Sequence, residues 1–339
     1  MDVLLTGGAG YIGSHTLLEL LAEGHRILVA DNFANSSPEA LNRVRELSNR
    51  DFRFARLDIR DRAALFGLFE AFRPQAVIHF AGLKAVGEGE ARPLDYYETN
   101  VSGTMNVLEA MNAVNCARIV FSSSATVYGE PEYLPLDESH PCHPASVYGR
   151  TKHMAEQIIL DWSRARPGSG GAILRYFNPV GAHESGRIGE DPHDVPNNLM
   201  PYISQVAVGR RAKLSIYGDD YDTRDGTGLR DYIHVVDLAR AHVAALGYAA
   251  ARQGVEVFNL GTGSGHTVRE MLRAFSEACG RDLPHEVTGR RPGDIAACVA
   301  DPAKANRLLS WRAERGLAEM SRSAWRWQSE NPDGYARRA

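Results

Sequence analysis

The chain has 339 residues, of which 44% are hydrophobic and 24% charged, proportions typical of a globular protein with one large or two modest domains. The formal net charge of −4 offers no broad basic surface to nucleic acid or an acidic membrane, and no apolar run is long enough to span a bilayer. The four cysteines form no Cys-x-x-Cys pair and the twelve histidines show no metal-binding spacing, so we expect reduced thiols and no metal site. Met1 leads directly into an apolar strand without a signal peptide, and we expect a cytoplasmic protein.

The chain begins with an apolar run at residues 3–6, a glycine-rich stretch at residues 7–13 and a helical stretch from Ser14 with apolar residues on one side. Strand, glycine turn and helix in this order are the context that a dinucleotide-binding fingerprint requires. The glycines permit a tight turn and a close approach of the backbone to a pyrophosphate, and the helix N-terminus offers N–H groups to its phosphates. Because a lone fingerprint can also be a chance turn, the next strand is the discriminating evidence.

That second strand, at residues 27–31, ends in Asp31 at about the distance where the fingerprint places an acid. A carboxylate there can accept hydrogen bonds from ribose hydroxyls and would repel a 2′-phosphate. Asn32 and Phe33 follow and supply no arginine to hold such a phosphate. The sequence therefore predicts NAD rather than NADP as the cofactor.

Strand-like and helical stretches alternate through the first half of the chain. Further strands are predicted at residues 52–58, 76–80, 119–123 and 172–178, and helices at residues 38–47, 63–72, 93–112 and 148–164. After Pro179 the alternation breaks down, and later helices at residues 240–251 and 269–279 are separated by longer loops.

This alternation predicts an α/β fold, a Rossmann-type doubly wound parallel sheet with a smaller mixed α/β substrate domain. We expect the cofactor-binding domain over residues 1–178, with one strand near residues 257–261 returning to its sheet. The substrate domain is expected over residues 179–339. Ligand chemistry should lie at the carboxyl ends of the main strands.

Tyr148 and Lys152 lie four residues apart, on one face of a predicted helix. The ordinary tyrosine pKa of about 10 is too high for a base at neutral pH, and a neighbouring lysine would lower it. A chance match of so short a motif has a probability of roughly 0.15. The fifth strand ends nearby in sequence with Ser124, whose hydroxyl could either reach the same pocket or simply cap the strand end.

Residues 6–13, the turn at residues 122–124 and the Tyr148–Lys152 pair together resemble the extended short-chain dehydrogenase/reductase superfamily. Longer motifs narrow the resemblance to the family of UDP-glucose (UDP-galactose) 4-epimerases. They are HFAGLKAVG at 79–87, SSSATVYG at 122–129, RYFNPVGA at 175–182, NNLMP at 197–201 and RDYIHV at 230–235. The resemblance runs from residue 1 to about residue 332.

The resemblance implies an NAD-dependent isomerase that inverts carbon 4 of a UDP-hexose through a 4-keto intermediate and so interconverts UDP-galactose and UDP-glucose. Tyr148 would take the 4-hydroxyl proton, Ser124 would hydrogen-bond the 4-oxygen, and Lys152 would hold the nicotinamide ribose and lower the Tyr148 pKa. It also implies a homodimer formed through the helices predicted at residues 93–112 and 148–164.

The matched motifs also imply the cofactor contacts. These residues are Gly7, Gly10, Tyr11, Ile12, Gly13, Asp31, Asn32, Phe33, Ala34, Asn35, Ser36, Asp58, Ile59, Phe80, Ala81, Gly82, Lys84, Ser124, Tyr148, Lys152 and Phe177. Asp58 could instead be a strand-end cap, since a turn-forming Asp often follows a strand. At Thr99 some relatives carry asparagine, and that contact stays open.

The substrate contacts follow from the same resemblance. They are Lys84, Ser124, Tyr148, Asn178, Asn198, Leu199, Leu214, Ser215, Ile216, Tyr217, Arg230, Arg291, Asp294 and Cys298. Arg230 and Arg291 have planar, always-charged forks that suit a diphosphate. Without the resemblance, residues 290–294 would be an ordinary solvated loop and residues 214–217 a short amphipathic strand.

Two rival functions and one extension remain. A nucleotide-sugar 4,6-dehydratase needs a carboxylate pair after the hydroxyl of the fifth strand, where this chain has Ala125 and Thr126. An NAD-sensing binding module would be expected to lose a catalytic residue, and Ser124, Tyr148 and Lys152 are all present.

Cys298 stands where several relatives carry tyrosine, and the smaller side chain leaves space for a 2-N-acetyl group. The hypothesis is that UDP-N-acetylglucosamine and UDP-N-acetylgalactosamine are also substrates, whereas the alternative is a small buried residue.

Overall fold

The computed structural model describes residues 1–192, 196, 198–291 and 293–335, and two members of the sequence motifs, Asn197 and Pro292, lie outside them. The strands are β1 (Asp2–Thr6), β2 (Arg26–Asp31), β3 (Arg53–Arg56), β4 (Ala76–His79), β5 (Arg118–Ser124), β6 (Gly170–Tyr176), β7 (Asn178–Val180), β8 (Leu214–Tyr217), β9 (Leu229–His234), β10 (Gly254–Leu260), β11 (Gly265–Thr267), β12 (His285–Thr288) and β13 (Ala297–Cys298). The α-helices are α1 (Tyr11–Ala22), α2 (Pro38–Ser48), α3 (Arg62–Phe72), α4 (Val86–Ala91), α5 (Pro93–Tyr96), α6 (Gly103–Ala113), α7 (Val147–Arg164), α8 (Leu199–Ala207), α9 (Val235–Ala251), α10 (Val268–Cys279), α11 (Ala303–Leu308) and α12 (Leu317–Glu330). A π-helical turn (Tyr97–Ser102) joins α5 to α6, and a 3₁₀ turn (Ala125–Val127) follows β5.

Seven parallel strands form the main sheet in the order β10-β6-β5-β4-β1-β2-β3. This order confirms the predicted Rossmann-type parallel sheet. The direction of strand addition reverses between β1 and β4, and sheets of this kind bind ligands outside the carboxyl ends of the strands at that point. The strand predicted near residues 257–261 is β10, which pairs with β6 at the sheet edge.

The main sheet is buried on both faces. In β1, Val3 and Leu5 pack into one hydrophobic cluster and Leu4 into the cluster on the opposite face, and all three are fully buried. The first cluster includes residues of α1 and α9, and the second includes residues of α3, α6 and α7. Helices on both faces explain why these strands read as continuous apolar runs.

A smaller group of elements follows the main strands. β11, β9 and β13 form one sheet to which β7 is joined, while β8 and β12 form a two-stranded sheet. Their core includes Met200 and Ile203 of α8, Phe275 of α10 and Met320 of α12. No helix within the described ranges is both long and apolar enough to cross a membrane.

Two predicted elements are interrupted. The single helix predicted over residues 93–112 is α5, the π-helical turn and α6, and the wider turn contains the buried Asn100. The strand predicted over residues 172–178 ends at Tyr176, where the Phe177 N–H makes the last bond to β10, at 3.1 Å to the Leu260 carbonyl, and the chain then enters β7 beside β9. Both interruptions lie at the carboxyl edge of the main sheet, where the candidate site is found.

Candidate active site

The turn between β1 and α1 is shaped for close backbone approach. Gly7 has a φ of +71°, and a Cβ there would lie 2.6 Å from the backbone nitrogen of Ala81. A Cβ at Gly13 would lie 2.5 Å from the Gly7 carbonyl oxygen. Within the described part of the chain, no side chain caps the N-terminus of α1 at Gly10, so its first N–H groups are available to phosphate oxygens. The turn therefore fits the pyrophosphate of a dinucleotide.

Asp31 at the end of β2 braces this turn. Its carboxylate is 7% exposed and accepts hydrogen bonds from the Ala9 N–H at 2.9 Å, the Phe33 N–H at 2.9 Å and the Ser36 hydroxyl at 2.8 Å. Since two of these donors belong to residues 33–36, the same carboxylate orders the segment expected to surround the adenosine ribose. A nearly buried negative charge at this position disfavours a 2′-phosphate.

Asp58 forms a strand-end turn and also contacts the segment that follows Asp31. It accepts the Arg60 N–H at 2.9 Å in a local turn, as a strand-end cap would, and the Asn32 side-chain amide at 3.0 Å. The Arg60 guanidinium beside it holds the pKa of the Asp58 carboxyl well below its usual range. Asp58 is thus ionised at neutral pH and linked to the segment that follows Asp31.

The three expected catalytic residues meet at the carboxyl end of β5. Ser124 is the last residue of that strand. α7 begins at Val147, and the side chain of the N-cap residue Ser146 accepts the Gly149 N–H at 3.0 Å. Tyr148 follows in the first turn of α7, and Lys152 lies on the same face of the helix. The Lys152 ammonium is 4% exposed and donates to the Ser122 carbonyl at 2.8 Å.

Burial dominates the protonation of this group. It raises the pKa of Tyr148 to about 12, against a smaller lowering by the Ser124 hydroxyl. It lowers the pKa of Lys152 to about 8, against a smaller raising by the Glu156 carboxylate. The net shift of the Tyr148 pKa is thus upward, because desolvation of the phenol outweighs the lowering by its surroundings. The lowering expected from Lys152 itself stays a prediction.

A buried ion pair behind the site was missed by sequence reasoning. Glu156 lies one turn after Lys152 on α7 and accepts the Arg175 guanidinium at 3.0 and 2.7 Å together with the Ser123 hydroxyl. Both charged side chains are at least 94% buried. A paired charge of this kind fixes α7 against β5 and β6 at the level of Ser124. The available signal was an arginine inside the apolar run of β6, which requires a buried partner.

Asn100 in the π-helical turn was also missed. Its amide oxygen accepts the Leu83 N–H at 2.8 Å, and its amide nitrogen donates to the Leu83 carbonyl and the Thr151 hydroxyl at 3.0 Å each. The Thr151 hydroxyl donates in turn to the Tyr148 carbonyl at 2.8 Å. Asn100 therefore joins the loop after β4 to the catalytic turn of α7. A π-helical turn, which often marks a functional site, has no periodic signal in the sequence.

Three small clusters contain expected substrate residues. Cys298 of β13 pairs in register with Arg230 of β9. The Arg291 guanidinium donates to Asp294 at 2.8 Å and lies 5.6 Å from the centre of the Tyr217 ring.

In the third cluster, the Glu190 carboxylate accepts both the Lys84 ammonium and the Asn198 amide at 3.2 Å. Asn198 is also the residue that precedes Leu199 at the start of α8. Glu190 therefore connects an expected cofactor residue with an expected substrate residue, and no motif in the sequence pointed to it.

The remaining residues that are expected to contact the substrate differ in how deeply their side chains are buried. Leu214 and Ile216 of β8 are buried in the smaller core, so they can offer a ligand only their backbone. The Ser215 hydroxyl is used within the protein, donating to Glu286 at 3.5 Å. Phe177, 5% exposed, belongs to a hydrophobic cluster against which Cys298 packs. Asn178 follows it at the start of β7 and is half-buried.

Comparisons with known proteins are consistent with this geometry. A family profile described as the NAD dependent epimerase/dehydratase family matches residues 3–261. The chain is 56% identical to UDP-glucose 4-epimerase of Bacillus subtilis (strain 168), with 99% of each chain covered. The crystal structure of UDP-glucose 4-epimerase from Bifidobacterium longum in complex with NAD⁺ and UDP matches with a TM-score of 0.95 and 49% identity, covering 98% of this chain and 100% of that one. The UDP-Glc/GlcNAc 4-epimerase from Campylobacter jejuni matches with a TM-score of 0.86 and 38% identity, covering 97% and 99%.

Proposed function

The chain belongs to the NAD-dependent epimerase/dehydratase family, and we propose that it is a UDP-glucose 4-epimerase that interconverts UDP-galactose and UDP-glucose by inversion at sugar carbon 4. The observation that carries the proposal is the meeting of Ser124, Tyr148 and Lys152 at the carboxyl end of β5, beside the dinucleotide turn. Full-length identity above 50% to a UDP-glucose 4-epimerase supports the same assignment.

NAD is the cofactor, and the residues present fit it. Gly7, Gly10, Tyr11, Ile12 and Gly13 would hold the pyrophosphate, since a Cβ at Gly7 or Gly13 would collide with neighbouring backbone. The segment from Asp31 to Ser36, with Asp58 and Ile59, would hold the adenosine. Phe80, Ala81, Gly82, Lys84 and Phe177 would line the path to the nicotinamide. When bound, NAD supplies the acceptor and then the donor of a hydride at sugar carbon 4, so the overall reaction is redox-neutral.

Tyr148 acts as the general base and then as the general acid. As a phenolate it takes the proton of the sugar 4-hydroxyl, and it returns that proton after the 4-keto sugar has turned its opposite face to the site. Because burial raises the Tyr148 pKa to about 12, the phenolate needs hydrogen bonds and positive charge at its oxygen. Ser124 supplies the hydrogen bond and Lys152 the ammonium.

Lys152 needs its own support to stay charged. Burial lowers its pKa to about 8, and the Glu156 carboxylate one turn later on α7 opposes that lowering. The Ser122 carbonyl accepts one of its protons at 2.8 Å. These contacts support a protonated ammonium at neutral pH, and it is this charge that we propose holds the nicotinamide ribose.

The UDP portion is assigned to the smaller group of elements. Arg230 and Arg291 would bind the diphosphate through their fixed forks. The Asp294 carboxylate would accept hydrogen bonds from the uridine ribose hydroxyls. The backbone of β8 (Leu214–Tyr217) would hydrogen-bond the uracil, which agrees with the burial of the Leu214 and Ile216 side chains. Asn178, Asn198 and Leu199 would contact the sugar and phosphates.

We also propose a homodimer through α5, α6 and α7. These helices expose the large apolar side chains of Leu94, Met105 and Met154, which are 79%, 45% and 43% exposed. Apolar side chains grouped on neighbouring helices are the usual mark of a protein interface.

A second candidate activity is 4-epimerisation of 2-N-acetylated UDP-hexoses. Cys298 packs against the cluster that contains Phe177. The family resemblance implies a position beside the sugar, where its small side chain would fill little space. An N-acetyl group at the 2-position would then find space that a tyrosine ring would fill.

The test of the main proposal is incubation of the purified protein with UDP-galactose without added NAD. UDP-glucose should accumulate, because the cofactor is regenerated in each turnover. A dehydrated 4-keto-6-deoxy sugar would instead identify a dehydratase, and the absence of any conversion in NAD-loaded protein would identify a binding module.

A further inference from the structure

Ser124 has two hydrogen-bond donors from a single neighbour. The Thr126 N–H donates to the Ser124 hydroxyl oxygen at 3.2 Å, and the Thr126 hydroxyl donates to the same atom at 3.0 Å. Ser124 is extended, with φ −150° and ψ 147°, and precedes the 3₁₀ turn (Ala125–Val127) that contains Thr126. The two residues thus form one local unit at the end of β5.

The number of hydrogen bonds determines the direction of the Ser124 proton. A serine hydroxyl carries one proton and two acceptor sites. Thr126 occupies both acceptor sites, so the Ser124 oxygen has only its own proton left to offer. That proton is directed away from Thr126, and a hydrogen bond from the Ser124 hydroxyl lowers the pKa of the Tyr148 phenol.

The turn that holds Thr126 is fixed against the catalytic helix. A Cβ at Gly149, the residue after Tyr148, would lie 2.8 Å from the Thr126 carbonyl oxygen and 3.0 Å from the Pro144 Cβ. Val127 and Tyr128, which follow Thr126, are fully buried in the cluster that contains Phe177. Thr126 therefore has little freedom to move relative to Tyr148.

We propose that Thr126 is a positioning residue that makes Ser124 an obligatory hydrogen-bond donor toward the Tyr148 oxygen. The proposal deepens the epimerase function and rests on it. A donor stabilises the phenolate form of Tyr148, whereas a serine with a free acceptor site can turn and accept the phenolic proton, which stabilises the neutral form. Thr126 thereby favours the base form of Tyr148 without contacting the reacting atoms itself.

The experiment compares Thr126→Val with Thr126→Ser. Valine has nearly the shape of threonine and keeps the backbone N–H but removes the hydroxyl donor, whereas serine retains that donor. Phenolate formation is followed by ultraviolet absorbance against pH in NAD-loaded protein without sugar, as the difference between each protein and its Tyr148→Phe counterpart. The pH dependence of kcat with UDP-galactose is measured in parallel.

Loss of one hydrogen bond should raise the apparent pKa of Tyr148 in the valine variant by about half to one pH unit. On the acid side of that pKa, kcat should fall about three- to tenfold, and serine should restore both values. An unchanged phenolate titration in Thr126→Val would overturn the proposal, because Thr126 would then have no effect on the Tyr148 pKa. A change confined to KM would also overturn it, because it would indicate a direct contact between Thr126 and the sugar. A shifted titration in a protein that converts no UDP-galactose would contradict the proposed function and leave the role of Thr126 intact.

Discussion

The reactivity of single residues in this site depends on burial as much as on charge. Tyr148 is a deeply buried phenol whose pKa is raised to about 12, so it is protonated at neutral pH unless its surroundings stabilise the phenolate. Its hydroxyl is the only part of the side chain that can move a proton. Removing that hydroxyl tests the catalytic role while leaving the packing of the ring in place.

We expect Tyr148→Phe to retain the fold and bound NAD but to lose about 10²–10⁴-fold in kcat with UDP-galactose, because it removes the general base. The measurement is the rate of UDP-glucose formation together with the NAD content of the purified variant. Tyr133→Phe is the matched control, since Tyr133 is 43% exposed and its hydroxyl donates to the Asp137 carboxylate at 3.0 Å. Near-normal turnover in Tyr148→Phe would remove this residue from the mechanism.

Cys298 decides the size of the sugar pocket in our proposal. Cys298→Tyr should suppress epimerisation of UDP-N-acetylglucosamine at least tenfold and leave the UDP-galactose reaction largely intact, because an apolar pocket excludes by volume. The measurement is the ratio of the two kcat/KM values. Cys298→Ala, which keeps the space open, should retain both reactions. Equal loss of both activities in the tyrosine variant, or no N-acetyl activity in the parent protein, would contradict the idea.

At the scale of elements, periodic patterns were sufficient for most of the main sheet. β1, β2 and β4 are buried apolar runs followed by turn residues, and the predicted strands overlap each of them. Tyr148 and Lys152 were placed together because their spacing matches one turn of α7. These features depend on residues that are close together in the sequence, so they could be predicted from the sequence alone.

Features that depend on distant neighbours were not predictable. The π-helical turn (Tyr97–Ser102) exists where Asn100 bonds Leu83 and Thr151, which are 17 and 51 residues away. The direction of the Tyr148 pKa shift depends on how deeply α7 is covered, which no spacing reveals. β3 ends at Arg56, shorter than predicted, although the Leu57 N–H still donates to the Asp31 carbonyl of β2 at 3.0 Å.

Asp31 at the end of β2 yields a test of cofactor choice. Apoprotein reloaded with NADP⁺ should regain far less activity than with NAD⁺, because the Asp31 carboxylate repels a 2′-phosphate. Asp31→Asn removes the charge at nearly constant size and should narrow the difference in Kd between the two cofactors. Asp51→Asn, at a side chain 93% exposed, serves as the control for a lost surface charge. Equal affinity of the unaltered protein for both cofactors would make the ribose assignment wrong.

At the scale of the whole molecule, buried histidines connect the fold to pH. Burial lowers the pKa of His15, His79 and His234 to about 3 and that of His242 to about 4. His15, His79 and His242 lie on α1, β4 and α9 of the main sheet and its helix layers, whereas His234 ends β9 of the smaller sheet. Each ring makes at least one hydrogen bond. The His79 ring, for example, lies between the Thr6 and Thr104 hydroxyls at 2.6 and 3.0 Å.

These shifts predict a loss of stability on acidification. An unfolded histidine binds a proton below its ordinary pKa of about 6.5, whereas the four folded ones stay neutral until about pH 4, so stability is complete above 6.5 and falls as the pH drops below it. Near pH 5.5 the unfolded chain should bind roughly three to four more protons at these sites, a slope of about 4–5 kcal/mol per pH unit. The free energy of unfolding is measured by urea titration of NAD-saturated protein between about pH 7.5 and pH 5.5, and it should approach this slope at the acid end. The range brackets the ordinary histidine pKa of about 6.5.

His15→Leu separates this cause from the titration of carboxyl groups. The His15 Nε2 has no partner among the described residues, and its Nδ1 bonds only the Tyr11 carbonyl at 2.7 Å, so the ring is the simplest of the four to replace. The variant should lower the number of protons taken up on unfolding by about one, flattening the slope by about 1.4 kcal/mol per pH unit. An identical slope in the variant and the parent would mean that the acid sensitivity arises elsewhere, because only a group that titrates differently in the two states contributes to it.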